Sequence, residues 1–157
     1  MEFIVSNIDE LDSLGIQLGK MCKENDILCL IGDLGTGKTH LTKGIAKGLG
    51  INECITSPTF TIVNEYEGRL KLYHFDVYRV NDPDEIAAIG FDEYIFGNGV
   101  SVIEWANYIE ELIPEESLTI NIAKLPYLGE TYRKITLSYT NNRYDYIKEL
   151  KLWRFCP

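Results

Sequence analysis

The chain has 157 residues, of which 45% are hydrophobic and 25% charged, and its formal net charge at pH 7 is −9. This length provides one domain with a single core and excludes two catalytic domains. Because so acidic a surface repels phosphate backbones and anionic lipid, a protein that binds nucleic acid by itself is disfavoured.

No segment has the features of a membrane span or an export signal. No apolar run approaches the roughly 20 residues that cross a bilayer, and the first residues show no charged segment followed by an apolar one. The four cysteines, at positions 22, 29, 54 and 156, form no Cys-x-x-Cys pair, which favours free or buried thiols over a zinc site. We therefore expect a cytoplasmic protein without membrane contact.

The first fifty residues are predicted to alternate between strands and helices. Phe3–Val5 predicts a short strand, and Asn7 predicts the start of a helix whose apolar residues recur from Leu11 to Met21. The apolar run Ile27–Ile31 predicts a buried strand. A second helix follows it and ends at Gly50.

Strand patterns dominate the rest of the chain. Phe60–Tyr66 and Leu70–Asp76 predict a hairpin, and Asp82 before a proline predicts the start of a helix that ends at Gly90. A domain over residues 1–140 is expected to precede a weakly helical tail over residues 141–157, which we interpret as a packed or frayed terminal helix. The later predicted elements are a strand at Val100–Ile103, a short helix that ends at Ile113, and strands at Leu118–Ala123 and Lys134–Tyr139.

The segment Gly32–Thr39 matches the pattern G-x-x-x-x-G-K-[ST] and lies between a predicted strand and a predicted helix. Such a loop turns its backbone N–H groups inward and places phosphate oxygens at the positive end of the helix. Lys38 adds a point charge, and the Thr39 hydroxyl can bind Mg²⁺. The predicted nucleotide-binding residues of the loop are Leu34, Gly35, Thr36, Gly37, Lys38 and Thr39.

The loop predicts an α/β fold of the P-loop NTPase type, with a mixed, mainly parallel sheet flanked by helices, a β-hairpin insertion and late antiparallel strands. A dinucleotide-binding fingerprint fails, because its third glycine would fall at His40. The guanine-specific Asn-Lys-x-Asp motif is missing, and the sole Asp-x-x-Gly, Asp12–Gly15, precedes the loop. ATP is therefore favoured.

Two acidic residues end predicted strands and are candidates for metal and water chemistry. Glu104 follows the strand Val100–Ile103 and is the natural second anchor for Mg²⁺. Asp76 ends the hairpin and could orient an attacking water or a metal-bound water. Arg79 could reach a phosphate or pair with Asp76 or Asp82, and the sequence leaves these alternatives open.

Four segments, in this order, resemble the bacterial TsaE family, the small P-loop ATPases of tRNA threonylcarbamoyladenosine synthesis. The resemblance extends from about Leu11 to about Thr136. The segments are Gly32–Thr39 with its preceding strand, Ser57–Phe60 followed by Ile62–Tyr66, Tyr73–Arg79, and Ile103–Trp105.

The resemblance implies a protein that binds ATP and Mg²⁺, hydrolyses ATP slowly and acts with TsaD and TsaB. In that family the partners transfer threonylcarbamoyl to N6 of the adenosine beside the anticodon, in tRNAs that read codons beginning with A. This chain would be an accessory subunit required for that transfer, and would meet tRNA only through its partners.

The resemblance also implies roles for individual residues. Lys38, Asp76 and Glu104 would be catalytic, and Thr39 and Glu104 would hold the metal. Trp105 would lie near the nucleotide as a packed aromatic or a ligand contact. Arg133 would bind the nucleotide, although Glu130 stands where the family often has a first arginine. The switch-like residues would be Ser57, Pro58, Thr59 and Phe60 in one segment and Asp76, Tyr78 and Arg79 in another.

Two other functions compete with this interpretation. A small-molecule kinase would use Asp76 to activate an acceptor hydroxyl and Arg79 to hold its anion. The chain has five arginines and none are clustered, whereas kinases of this size usually need an arginine-bearing lid. The third possibility is a nucleotide-dependent binding module without turnover.

Overall fold

The computed structural model describes residues 1–58 and 60–150, and in these residues seven strands form one sheet. The helices are α1 (Ile8–Met21), α2 (Lys38–Gly48), α3 (Pro83–Ala88) and α4 (Phe91–Ile95), with 3₁₀ helices at Ala106–Leu112 and Asn142–Glu149. The strands are β1 (Glu2–Val5), β2 (Ile27–Ile31), β3 (Val63–Tyr66), β4 (Leu72–Asp76), β5 (Val100–Glu104), β6 (Leu118–Lys124) and β7 (Arg133–Ser138).

The sheet has the strand order β1-β7-β6-β2-β5-β4-β3. Its centre is parallel, since β2 pairs in parallel with β5 and β6, and β4 pairs in parallel with β5. The hairpin β3–β4 and the late pair β6–β7 are antiparallel. The predicted fold class is therefore confirmed. Because parallel strands share one direction, the carboxyl ends of β2, β4 and β5 meet at one edge of the sheet.

The helix α1 starts as predicted, because the Asn7 side chain accepts a hydrogen bond of 2.9 Å from the Glu10 N–H. It then packs directly against α2 through two pairs of glycines. A Cβ atom at Gly19 would lie 2.1 Å from the Ile45 carbonyl oxygen and 2.9 Å from the Cα of Gly48. The other pair is Gly15 and Gly44. Small residues four apart on both helices let the backbones touch, which holds the helix after the phosphate loop in place.

Two apolar cores cover the two faces of the sheet. The first lies under α1 and α2 and contains Leu14, Leu18 and Leu41, all with no exposed surface. The second lies under α3, α4 and the first 3₁₀ helix, with Phe75 and Phe91 packed edge to face at 5.2 Å. Both faces of the parallel strands are thus buried, as continuous apolar runs such as Ile27–Ile31 require.

Several elements differ from the sequence predictions. Gly90 has a φ of +82° and separates α3 from α4. No helix was predicted at the position of α4. The tail agrees with the packed alternative as far as it is described, since residues 142–149 form a 3₁₀ helix whose Tyr144 is fully buried in the first core. Residues 151–157 of that tail lie outside the described residues. Among the described residues, no helix combines the length and the apolar character that a membrane span needs.

Candidate active site

The loop between β2 and α2 wraps around the amine of Lys38. The Lys38 Nζ donates to the carbonyl oxygens of Gly32 at 2.6 Å and Asp33 at 2.9 Å. Gly35 and Gly37 have φ values of +78° and +111°, which side chains with a Cβ rarely adopt. The loop is therefore a closed turn whose curvature depends on glycine, with its lysine held at the start of α2.

The floor of the loop is tightly packed and contains a hydroxyl without a partner. A Cβ atom at Gly32 would lie 2.5 Å from the Ile122 carbonyl oxygen and 2.7 Å from the Thr36 Oγ1. Within residues 1–58 and 60–150, that buried Thr36 hydroxyl has no hydrogen-bond partner. A buried donor of this kind costs stability unless something binds to it.

Glu104 ends β5 and faces the first turn of α2. It is only 2% exposed, and its Oε1 accepts a hydrogen bond of 3.0 Å from the Thr39 Oγ1. Its Oε2 is bonded to the Nε2 of His74, a fully buried residue of β4. The burial of Glu104 is inconsistent with the role of a solvated surface charge.

Asp76 lies beside Glu104 on the neighbouring strand, because β4 and β5 pair these two residues in register. Its Oδ1 accepts a hydrogen bond of 3.0 Å from the Tyr78 N–H, and its Oδ2 lies 3.4 Å from the Ser57 hydroxyl, which donates to it. Two carboxylates therefore stand next to each other at the same edge as the phosphate loop.

An aromatic stack closes one side of this edge. The Lys38 Nζ lies 3.9 Å from the centre of the Trp105 ring, a distance at which cation–π attraction is effective. Tyr78 and Tyr108 flank that ring with centroid separations of 4.6 and 5.4 Å. Burial lowers the pKa of Lys38 from its usual value, and the nearby carboxylates, Glu104 first, oppose that shift.

These groups line two adjoining clefts on either side of the loop. The larger, which we call the phosphate cleft, has a volume of about 450 Å³, and the smaller, which we call the side cleft, about 150 Å³. The phosphate cleft is lined by Leu34, Gly35, Gly37, Lys38, Thr39, His40, Ser57, Asp76, Tyr78, Arg79, Glu104 and Trp105. The side cleft is lined by Asn7, Ile8, Leu11, Gly35, Thr36, Gly37, His40, Glu130, Thr131 and Arg133.

Arg133, at the start of β7, holds the loop from the side cleft. Its Nε donates to the Thr36 carbonyl oxygen at 2.9 Å, and one terminal nitrogen donates to the Glu130 carbonyl oxygen at 2.6 Å. The guanidinium thus contacts the backbone of the phosphate loop, and its predicted contact with a nucleotide stays a prediction.

The two switch-like segments lie at the rim of the phosphate cleft. Pro58 is buried, whereas the Phe60 ring is 89% exposed and lies 5.4 Å from the Arg79 guanidinium. Within the part of the chain that the structure describes, Arg79 forms no ion pair with Asp76 or Asp82. Thr59, also predicted for this segment, lies outside the described residues.

With this geometry established, comparison with known proteins identifies the family. The family model described as threonylcarbamoyl adenosine biosynthesis protein TsaE matches residues 5–134. The chain belongs to the TsaE family. This family acts in tRNA threonylcarbamoyladenosine biosynthesis, as the resemblance in the sequence predicted.

Relatives of this TsaE-family chain match it over most of their length. The tRNA threonylcarbamoyladenosine biosynthesis protein TsaE of Bacillus subtilis is 46% identical over 144 residues, which cover 91% of this chain and 88% of that protein. The protein of the same name from Treponema pallidum is 44% identical over 124 residues, or 79% and 90% of the two chains. A crystal structure of Bacillus subtilis YdiB has 41% identity and a TM-score of 0.81, over 95% of this chain and 91% of that one.

Sequence reasoning assigned no role at this TsaE-family site to His74 or to Tyr108. His74 was visible in the motif that also contains Asp76, and residues two apart on a strand share a face, which places both on the side of Glu104. Tyr108 lies three residues after Trp105 in a 3₁₀ helix, where such residues eclipse each other. The spacing of these residues was therefore the available signal.

Proposed function

We propose that this chain is a Mg²⁺-dependent ATPase that serves cytoplasmic threonylcarbamoyladenosine synthesis as an accessory subunit of TsaD-like and TsaB-like proteins. The observation that carries the proposal is the meeting of Lys38, Thr39 and Glu104 around one cleft, in a chain that belongs to the TsaE family. These are the residue types that P-loop ATPases use for phosphate and metal.

The loop fits a triphosphate in its curvature and in its donors. The loop has no room for a Cβ atom at Gly32, and the Thr36 hydroxyl, which has no hydrogen-bond partner among the described residues, is a donor at the floor of the loop. The Lys38 amine bonds to loop carbonyls and stacks on Trp105, so it is oriented before any ligand arrives. Orientation in advance reduces the entropy lost on binding.

Thr39 and Glu104 would hold the Mg²⁺ ion. Mg²⁺ is usually bound by one or two protein oxygens together with substrate phosphates, and a hydroxyl 3.0 Å from a carboxylate is such a pair. A bound Mg²⁺ ion neutralises charge on the phosphoryl group. Within the described residues no lysine or arginine forms an ion pair with Glu104, so no such side chain competes with a cation for direct contact with its oxygens.

Asp76 would orient the attacking water. Its Oδ1 is fixed by the Tyr78 N–H, and its Oδ2 faces the Ser57 hydroxyl at the long distance of 3.4 Å. That weak bond lets Oδ2 accept a hydrogen bond from a water at the rim of the phosphate cleft. The base of the nucleotide would lie in the side cleft, which shares Gly35, Gly37 and His40 with the phosphate cleft.

The link to the partners would be conformational. The contacts Ser57–Asp76 and Phe60–Arg79 connect the two switch-like segments to each other at the cleft rim. A phosphate that holds one segment therefore also biases the other, and a partner that contacts the exposed Phe60 ring would detect the difference. With a net charge of −9, the chain would reach tRNA through those partners.

Phosphate release from ATP tests the proposal, measured for the chain alone and with the TsaD-like and TsaB-like proteins. We expect slow release that depends on Mg²⁺ and increases with the partners. Lys38→Ala should abolish the stimulated rate. Lys43 is also a lysine of α2, but it lines a different cleft. The control Lys43→Ala therefore removes the same charge from the helix and should retain the stimulated rate. ADP formation matched by a phosphorylated metabolite would establish a kinase instead, and unaltered ATP throughout would leave a binding module.

A further inference from the structure

His74 is a buried histidine, and among the described residues only one of its two ring nitrogens has a hydrogen-bond partner. The residue has no exposed surface, and its Nε2 is bonded to the Oε2 of Glu104. A carboxylate that binds a metal ion is ionised and only accepts hydrogen bonds, so in a metal-binding site the imidazole would donate to Glu104 from its Nε2. Within residues 1–58 and 60–150, the other ring nitrogen, Nδ1, is buried without a partner.

The unpartnered Nδ1 argues against a purely structural role. A buried polar atom without a hydrogen bond costs stability, and an apolar side chain beside Val102, which pairs with residue 74 and lies in the first core, would avoid that cost. Asp26 is also a buried acid, but its side-chain partners include the Arg143 guanidinium. That guanidinium makes a second hydrogen bond, to the Glu24 carbonyl oxygen. The benefit of His74 must therefore lie in the bond that its Nε2 makes.

That bond determines the direction of the Glu104 carboxylate. Thr39 bonds to Oε1 and His74 bonds to Oε2, so the two oxygens have one donor each, from α2 and from β4. Rotation of the carboxylate would break both bonds. The Thr39 bond alone fixes one oxygen and leaves the carboxylate plane free to turn.

We propose that His74 is a positioning residue, which donates its Nε2–H to Glu104 and thereby presents that carboxylate to Mg²⁺ beside Thr39. This inference rests on the proposed function, since it concerns the metal site of the proposed ATPase. Partners that orient a metal ligand typically contribute about 10- to 100-fold to metal affinity.

Calorimetric titration with a non-hydrolysable ATP analogue, with and without Mg²⁺, tests the proposal. The Mg²⁺ gain is the ratio of the Kd without the ion to the Kd with it. His74→Met, which fills the space and donates nothing, should lower the gain by about tenfold and leave the Kd without Mg²⁺ unchanged. His74→Gln can donate from its amide and should recover most of the gain. His74→Asn carries the same amide one bond shorter and should behave like His74→Met.

Ser101→Ala is the matched control, because the Ser101 hydroxyl on β5 is also buried and unpartnered within the described residues. It should leave the gain at the wild-type value. If His74→Met unfolds, the comparison of His74→Asn with His74→Gln decides the question. A wild-type gain in His74→Met, or equal gains in the Asn and Gln variants, would overturn the proposal.

A double-mutant cycle separates action through Glu104 from a general effect on the cleft. In the Glu104→Gln background, His74→Met should change the gain by less than twofold, since the carboxylate that it orients is already absent. A full tenfold loss in that background would also overturn the proposal. If the wild-type chain itself shows no Mg²⁺ gain while the analogue binds, the proposed metal site fails and the inference about His74 fails with it.

Discussion

Two buried carboxylates lie at opposite ends of the central strands and have opposite surroundings. Asp26, just before β2, is fully buried and accepts hydrogen bonds from the Lys23 N–H, the Arg143 guanidinium and the Tyr146 hydroxyl. Glu104, at the end of β5, is 2% exposed and is bonded to Thr39 and His74 beside the phosphate cleft. Asp26 is paired with the fixed cation Arg143, whereas the described hydrogen-bond partners of Glu104 are a hydroxyl and an imidazole.

This difference separates an acid that stabilises the fold from one that is available to a ligand. Arg143 compensates the charge of Asp26, and burial raises the pKa of Tyr146 far above its usual range, so that hydroxyl keeps the proton it donates. Glu104 forms no ion pair with a lysine or arginine among the described residues, although the charge of Lys38 acts on it from a distance, and a divalent cation would bind to its oxygens directly. Burial alone therefore does not identify a functional acid, whereas the nature of its partners does.

The largest effects are expected when Glu104 and Asp26 are each replaced by the corresponding amide. Glu104→Gln should lower Mg²⁺-dependent phosphate release by about 100-fold or more, because a bound metal contributes several kcal/mol to phosphoryl transfer. Its free energy of unfolding, measured in urea, should fall by less than that of Asp26→Asn, because neither partner of Glu104, Thr39 or His74, is an arginine left without its carboxylate.

Asp26→Asn should show the reverse pattern. It leaves Arg143 without its carboxylate and should lower the free energy of unfolding by about 2–3 kcal/mol, while the Kd for ATP remains unchanged. The assignment of Asp26 to stability and of Glu104 to the ligand would be wrong if folded Asp26→Asn bound ATP more weakly, or if Glu104→Gln hydrolysed ATP at the parental rate.

Lys38→Ala tests whether the phosphate cleft binds ATP through the Lys38 amine. The variant removes a charged donor, worth about 1.5–3 kcal/mol, and should raise the Kd for ATP by roughly 10- to 100-fold. Lys43→Ala, on the same helix, should change the Kd by less than twofold in the same titration. Equal Kd values for the two variants would show that Lys38 makes no special contact with phosphate.

Tyr146→Phe examines the Asp26 end with a single atom. It removes the hydroxyl that lies 2.7 Å from the Asp26 Oδ2, and should lower the free energy of unfolding by about 2 kcal/mol. The control Tyr127→Phe alters a ring that is 78% exposed, and should change stability by less than about 0.5 kcal/mol. Similar stability in both variants would mean that the Tyr146 hydroxyl does not support Asp26.

The smallest expected effect concerns two arginines that both bond to backbone carbonyls. Arg133→Gln loosens the phosphate loop at Thr36 and should raise the Kd for ATP by about fivefold, the equivalent of one hydrogen bond. Arg69 makes the same kind of contact, at 2.8 Å, with the carbonyl oxygen of Gly19 in the last turn of α1. Arg69→Gln should lower stability without changing the Kd. A larger effect on ATP binding from Arg69→Gln would contradict this assignment.

Much of this account could be predicted from local sequence. The glycine loop between an apolar strand and a helix predicted the phosphate cleft, and Asp76 and Glu104 were predicted because each ends a strand. Parallel pairing of β4 with β5 then brings these two acids together in register. The roles proposed for these residues in catalysis stay predictions.

The rest depends on contacts between distant parts of the chain. His74 and Glu104 are 30 residues apart, and Arg133 and Thr36 are 97 apart. Which side chains meet across such distances is set by strand order and register, and a pattern with a period of two or 3.6 residues carries no information on either. The contact between Gly19 and Gly48 is of the same kind. The sequence contains glycines four residues apart in each helix, but it does not tell which helix packs against which.

The location of a bound metal ion tests the central claim most directly. Crystals of the chain with a non-hydrolysable ATP analogue and Mn²⁺ in place of Mg²⁺ would locate the ion by its anomalous scattering. We expect an ion within about 2.5 Å of the Thr39 Oγ1, held by Glu104 directly or through one water. An analogue bound in the phosphate cleft with its ion in contact with neither Thr39 nor Glu104 would contradict the account.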